Sequence, residues 1–271
     1  MKYINIKLAC LVVAMALTCM PMAGICAEAQ QSITAKFQPG SGNPIGTVLN
    51  ADGQAIISHA EADAVYKVKK GLALYTGDTL TTMGNGRVVL KLNDDSQITL
   101  GQGATLVLNE SVFDPLTKKR SGLVNLVRGK ARFLVKKFAD FQFSTFNVKA
   151  VTSVAAVRGS EFIVDIRADG TVIITCGGDT ILEVTTEVTL PGGQQSSVTK
   201  FVGSFEQFVA SWNALPDAPF QITPEMYQQA LENMGGGEGD GEGGDGAGLG
   251  NRWGQGGGDD VPVSPSGFEK D

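Results

Sequence analysis

Histidine occurs once in the 271 residues, at His59, and cysteine four times. Three of the cysteines, Cys10, Cys19 and Cys26, lie within the first 27 residues, which leaves Cys176 alone in the rest of the chain. A single remaining thiol can form no internal disulfide, so core packing and strand pairing must hold the fold. One histidine cannot be combined with Cys176 or with any serine into a defensible catalytic triad. The sequence also lacks H-E-x-x-H, C-x-x-C, P-loop and G-x-S-x-G patterns. No catalytic, cofactor-binding or metal-ligating residue is therefore expected, and the chain reads as non-enzymatic. A glycosidase-like pair of carboxylates stays open in principle, since any fold can bring two together, but no spacing proposes one.

Long apolar runs are also missing. The longest, Leu8–Leu17, has ten residues, against the ~20 needed to span a bilayer. With Lys2 and Lys7 before it and Pro21 and small residues after it, Met1–Ala27 reads as a cleavable signal peptide, cut after Ala27 or Ala29. A lipoprotein is the weaker alternative, because Cys19 follows Leu-Thr and Cys26 follows Gly-Ile, where a lipid-modified cysteine usually follows a small residue. The expected location is the periplasm or beyond, with no stable membrane span after cleavage.

Charge is unevenly placed. The net charge of −6 equals that of residues 235–271 alone, which hold eight acids and two bases. Lys2 and Lys7 give the leader +2, so residues 28–234 carry only −2. No basic stripe suggests nucleic acid.

What the chain does have is alternation punctuated by turn residues, concentrated between Gly71 and Leu108. Val88, Leu90 and Leu92 alternate with Arg87, Val89 and Lys91, and Ile98 and Leu100 with Gln97 and Thr99. A period of two with polar intervening positions describes strands with one buried face. Gly77-Asp78, Gly84-Asn85-Gly86 and Asn93-Asp94-Asp95-Ser96 read as turns. Asp78, Asp94 and Asp95 are turn formers on this reading and not metal ligands, because the calcium-loop spacing is absent. Ile45–Ser58 reads as a hairpin closed by Asn50-Ala51-Asp52-Gly53, and Ala64–Val68 as a further strand.

Asn109–Ser121 reads as a polar loop whose basic cluster, Lys118-Lys119-Arg120, is solvated, with contact to an anionic envelope component as a second reading. Strands resume after it, broken at Arg128-Gly129. Phe138, Phe141, Phe143 and Phe146 read as a core face, with Phe141 and Phe143 on one strand side; a ligand groove is the alternative. Ser153–Thr175 gives two strands around Ala168-Asp169-Gly170, and Cys176 at their end reads as a small buried hydrophobe. Short strands every eight to twelve residues indicate an all-β sandwich, barrel or solenoid.

Two helices are expected after residue 203. Ser204–Leu215 has Phe205, Phe208, Val209, Trp212 and Leu215 at helical spacing, and Ser204 with Gln207 has capping-box spacing. Thr223-Pro224-Glu225 opens a second. Both are read as covers for an open sheet, and a partner-binding segment is the alternative. Gly235–Gly258 has fourteen glycines and almost nothing apolar; with the last residues, 259–271, it reads as a disordered tail. The expected organisation is a signal peptide at 1–27, an irregular lead-in at 28–44, a β domain at 45–202, a helical segment at 203–234 and a Gly/acid-rich disordered tail at 235–271.

The motifs GDTLTTMGNGRVVLKLNDDSQITLGQGATLVL, LVRGKARFLVKK and AAVRGSEFIVDIRADGTVIITCGGDTILEV together resemble the FecR-domain family over about 45–185. Asn93-Asp94-Asp95-Ser96 stands where that family commonly has Asp-Gly-Ser, and Ser160 where Thr is commoner. The resemblance implies a twisted, solenoid-like or sandwich-like β domain in the periplasm. In the best-known members this domain is the sensing part of a transmembrane regulator that meets a TonB-dependent outer-membrane receptor and controls a sigma factor in iron uptake. Here a signal peptide replaces the cytoplasmic anti-sigma domain and membrane helix. The resemblance therefore implies an exported module of the cell envelope, with a protein partner there and a role in signal transduction. A structural or glycan-binding surface protein is the alternative. Oligomeric state is not legible in the sequence.

Overall fold

Alternation becomes strand nearly everywhere it occurs. The computed structural model describes residues 33–234 apart from 35, 61, 63, 142, 179, 180, 191, 212 and 213. The expected signal peptide at 1–27 and disordered tail at 235–271 lie outside the described residues. Along the chain come β1 (Ile33–Thr34), β2 (Gly46–Ser58), β3 (Val65–Lys67), β4 (Ala73–Leu74), β5 (Thr79–Leu92), β6 (Gln97–Leu100), β7 (Thr105–Asp114) and β8 (Lys119–Val135). They continue with β9 (Phe143–Ala150), β10 (Ser153–Val157), β11 (Ser160–Ile166), β12 (Val172–Cys176), β13 (Leu182–Thr189), β14 (Gln195–Val202), β15 (Glu206–Ala210) and β16 (Phe220–Gln221), and end with α1 (Pro224–Glu232). The all-β class is thus as expected.

All the strands belong to one sheet with two arms, because the long strands change partners partway along. One arm runs β5–β6–β8–β11–β12–β15–β16. The other leaves β5 through β7 to β8, then passes to β9, β10, β13 and β14. β8 pairs with β7 and β9 along its first half and with β6 and β11 along its second. It turns between them at Gly129, whose φ is 78°. A side chain there would stand 2.7 Å from the Cα of Ala104, so glycine answers both the dihedral and the close approach. Buried residues of the two arms merge into one cluster that includes Leu90, Ile98, Leu106, Phe133, Phe146, Phe162 and Phe208. Phe133 and Phe162 face each other across β8 and β11 with ring centroids 5.1 Å apart.

Five sequence expectations are corrected. Ile45–Ser58 is no hairpin: β2 runs through Asn50–Gly53 and pairs with β5 along its length, with register shifts at Val48/Asn50 and Asp52/Gln54. Gly84-Asn85-Gly86 likewise lies inside β5 opposite that bulge. Gly53 and Gly84 have positive φ, and a side chain on Gly86 would meet the Gln54 carbonyl. Bulges demand the same glycines that turns do, so composition alone could not separate the two.

The expected first helix is also a strand: Glu206–Ala210 forms β15, after a turn in which Phe205 takes a φ of 52°. All five residues of β12 are buried, and β12 needs a partner on its second edge, which β15 supplies from Ala210 to Gln207. Phe208 then points into the core. Pairing overrides a five-residue helical spacing. The second helix does form as α1, with Thr223 as N-cap accepting the Met226 N–H at 3.3 Å.

Asn109–Ser121 is mostly strand, a β7–β8 hairpin that turns at 115–118, and Arg120 within it is buried. Of the four phenylalanines read as a core face, only Phe146 is fully buried. Phe141 precedes β9, so it does not share a strand face with Phe143, which is 68% exposed.

Candidate functional site

His59 follows β2 and meets Asp78, the residue before β5, at 2.6 Å between Nδ1 and Oδ1. Nε2 of His59 lies 2.8 Å from the Gln38 carbonyl. A carbonyl only accepts, so Nε2 carries a proton, and the short Nδ1–Oδ1 contact needs a second proton between the partners. The couple is therefore neutral as a unit. The other oxygen of Asp78 accepts the Tyr75 N–H at 2.8 Å. Burial pushes the Asp78 carboxyl above its ordinary value, against the lowering effect of the bonds from His59 and Tyr75. Phe37, Tyr66 and Tyr75 surround the imidazole with ring centroids 5.3–5.6 Å away. This has the outline of a base with its orienting acid, but Nε2, which would take a nucleophile's proton, already donates to a backbone carbonyl. The arrangement fastens the segment around Gln38 to the start of β5; Asp78 does more than form a turn.

A second buried couple joins the hairpin to the turn after β5. Arg120 donates from Nε to Asp94 Oδ2 at 2.8 Å, with both side chains almost wholly buried. Burial lowers the Arg120 guanidinium from its ordinary value, and the Asp94 carboxylate opposes that shift. Asp94 also accepts from the backbone and hydroxyl of Ser96, at 3.0 and 2.9 Å. It is thus a turn former, as expected, with a buried cation added. The guanidinium reaches Ser144 at 3.2 Å and lies 5.1 Å from the Phe146 ring centre.

Asp95, next along, takes the turn conformation with φ 63° and bonds Lys136 at 2.8 Å and Lys91 at 2.9 Å. Those ammonium groups hold its carboxyl down at about 2. An NMR titration of the side chain should find its midpoint there, and Lys136→Ala should move it upward. Because the folded value is depressed, any stabilisation is present above the ordinary carboxylate range and fades as pH falls towards about 2. The groups are half-exposed, so solvent screening keeps the pair's worth below about 1 kcal/mol.

On the other arm, Arg132 and the Tyr227 hydroxyl both donate to Glu161 Oε1, at 2.8 and 3.0 Å. Burial and the carboxylate push the Tyr227 hydroxyl up. The ring sits where a side chain on Gly177 would fall, so this network seats α1 on the sheet. Cys176 is buried as expected, with Sγ 3.7 Å from Ser160 Oγ and 3.8 Å from the Gly178 carbonyl. Burial raises the thiol, which opposes formation of the nucleophilic thiolate. Among the described residues, no three of His, Cys, Asp and Glu gather as a metal site.

What remains accessible is backbone. Among the described residues β14 pairs with β13 alone. The bond from Leu190 N–H to the Gln194 carbonyl fixes the phase of that ladder. Even-numbered residues of β14 therefore bond to β13, while the N–H and C=O groups of Ser197, Thr199 and Phe201 point to the open edge. Lys200 is the only charge on the strand, and proline and a covering helix, the usual edge blockers, are both missing from its described surroundings. Phe201 and Ile181 beside it are 63% and 67% exposed. The site is thus an eight-residue edge with an apolar flank, and its only chemistry is hydrogen bonding. No linear motif marked it, because an edge is defined by which partner does not come.

No curated protein matches the chain. Among solved structures, two crystal structures of a candidate anti-sigma factor from Parabacteroides distasonis align with a TM-score of 0.42 and 16% sequence identity. They cover 56% of this chain, and the chain covers 63% and 64% of theirs, a little under two thirds. A family model described as FecR protein matches residues 78–179, from the carboxylate that bonds His59 to the residues just past β12. The stretch from β5 to β12, at the centre of the sheet, is therefore a FecR domain.

Proposed function

We propose that this protein is an exported, non-enzymatic FecR-domain module of the bacterial cell envelope, which acts in signalling by binding another protein. The observation that carries the reading is the open edge of β14. Export is supported by Lys2, Lys7 and the apolar run Leu8–Leu17. The described residues contain no helix long and apolar enough to cross a membrane. The absence of catalysis is supported by the engagement of both His59 nitrogens and the burial of Cys176. The partner presents an extended segment that adds to β14, with backbone bonds giving affinity and Phe201 and Ile181 giving an apolar contact.

Thr199→Pro tests this. It removes one outward N–H and the exposed hydroxyl contact with Thr185, and leaves the backbone bonds to β13 intact, a change that edge strands tolerate. A photo-crosslinking residue at Ser197, in cells that export the full chain, should trap one discrete protein, and Thr199→Pro should reduce that product by about tenfold, as for a lost backbone bond and its register. The same product from a crosslinker at Lys67, or no discrete product at Ser197, overturns the reading.

A further inference from the structure

We propose that the end of the sheet formed by the β7–β8 hairpin and the start of β9 docks on a bilayer surface that carries anionic phospholipid. Leu116 in the hairpin turn is 93% exposed. Asp114, Lys119 and Phe143 lie side by side across β7, β8 and β9, which places Phe143 and Val112 on one face of this end. The opposite face carries Phe113, tilted against Phe138 and stacked on Phe141 at centroid distances of 5.4 and 5.9 Å, and these rings are only half-buried. Apolar groups thus occupy the tip and both faces. A partner docked flat on one face would leave the other exposed, whereas a fluid interface can close around all sides of such a tip.

The polar groups fit the same environment. Lys118, Lys119 and Lys137 are exposed, and none is paired with a carboxylate among the described residues. Their long stems can lie along apolar surface while the ammonium groups reach phosphate. The exposed carboxylate of Asp114 is engaged within the turn, accepting the Leu116 N–H at 2.9 Å and the Thr117 hydroxyl at 2.6 Å. Arg120 and Asp94 neutralise each other beneath. Other exposed acids near this end are Asp140 and Asp95, and Asp95 is paired with Lys136 and Lys91. Leu116 and Phe143 would reach about 5–10 Å into the headgroup boundary.

The test uses the full chain with vesicles of phosphatidylcholine, with and without phosphatidylglycerol, read by sedimentation and by hydrogen exchange. Exchange localises the contact, so binding through residues 1–27 is distinguished from it. The expected result is slowed exchange at 112–119 and 138–144, stronger with phosphatidylglycerol and weakened by salt. Leu116→Asp with Phe143→Asp should abolish that local protection and lower the hairpin's contribution to vesicle binding by about tenfold. Phe220→Asp, a control at the exposed β16, should leave it unchanged, as should Thr199→Pro. Unchanged exchange at both segments, or an equal loss with Phe220→Asp, overturns the proposal. So does protection of these segments by envelope protein but not by vesicles, which would make the surface a protein contact.

Discussion

Arg120→Ala should destabilise the domain by about 3–5 kcal/mol, because it leaves the Asp94 carboxylate buried without its cation. The guanidinium joins three places: Asp94 in the turn after β5, Ser144 at the start of β9, and the rings of Phe138 and Phe146. Its loss should also free Phe138, so near-ultraviolet circular dichroism should change along with the melting temperature. Arg120→Lys should recover little, since a single ammonium cannot reproduce the fork that serves Asp94 and Ser144 together. The decisive comparison is Arg120→Met with Asp94→Leu. A buried ion pair replaced as a unit by apolar groups is often neutral or stabilising. The double variant should therefore be more stable than either single one. Equal and additive losses would show that the two charges are not a coupled buried pair.

That couple also illustrates what the sequence could convey. Val88, Leu90 and Leu92 in β5 and Ile98 and Leu100 in β6 were legible, because a half-buried strand writes its buried face into every second residue. The central position of Gly71–Leu108 and the family resemblance followed from that pattern. Arg120 was misread as solvated because a basic run beside Pro115 looks like a loop, and its acceptor lies 26 residues earlier. The bulges at Gly53 and Gly84 were misread as turns, since positive φ is required in both. Residues 206–210 were misread as helix because the strand they complete, β12, had no visible need for a partner until the sheet was assembled. In each case the deciding information sits in another strand. The open edge of β14 is the limiting example, for it consists of a missing neighbour.

Asp78→Ala should cost about 2–5 kcal/mol, since it deprives two buried donors, the Tyr75 N–H and the proton shared with His59, of their acceptor. Asp78→Asn should cost far less. Its amide oxygen can accept from Tyr75 while its N–H donates to Nδ1, and the neutral imidazole keeps its Nε2 proton on the Gln38 carbonyl. Both variants should also differ from the wild type in pH dependence. Burial raises the Asp78 value above the ordinary 3.8, so the folded state holds this proton more tightly than the unfolded chain does. Its contribution is full below the ordinary aspartate value and declines as pH rises through the folded one. Neither variant has such a proton, and both should flatten that part of the stability curve, measured by chemical denaturation across acidic and neutral pH, with Asp78→Asn keeping the higher stability. Hydrogen exchange at 36–44 should accelerate in Asp78→Ala and stay near the wild-type rate in Asp78→Asn, because the Gln38 anchor depends on a fixed imidazole and not on charge. Equal damage from both variants would mean that the negative charge itself holds the segment, and the neutral description of the couple would then be wrong.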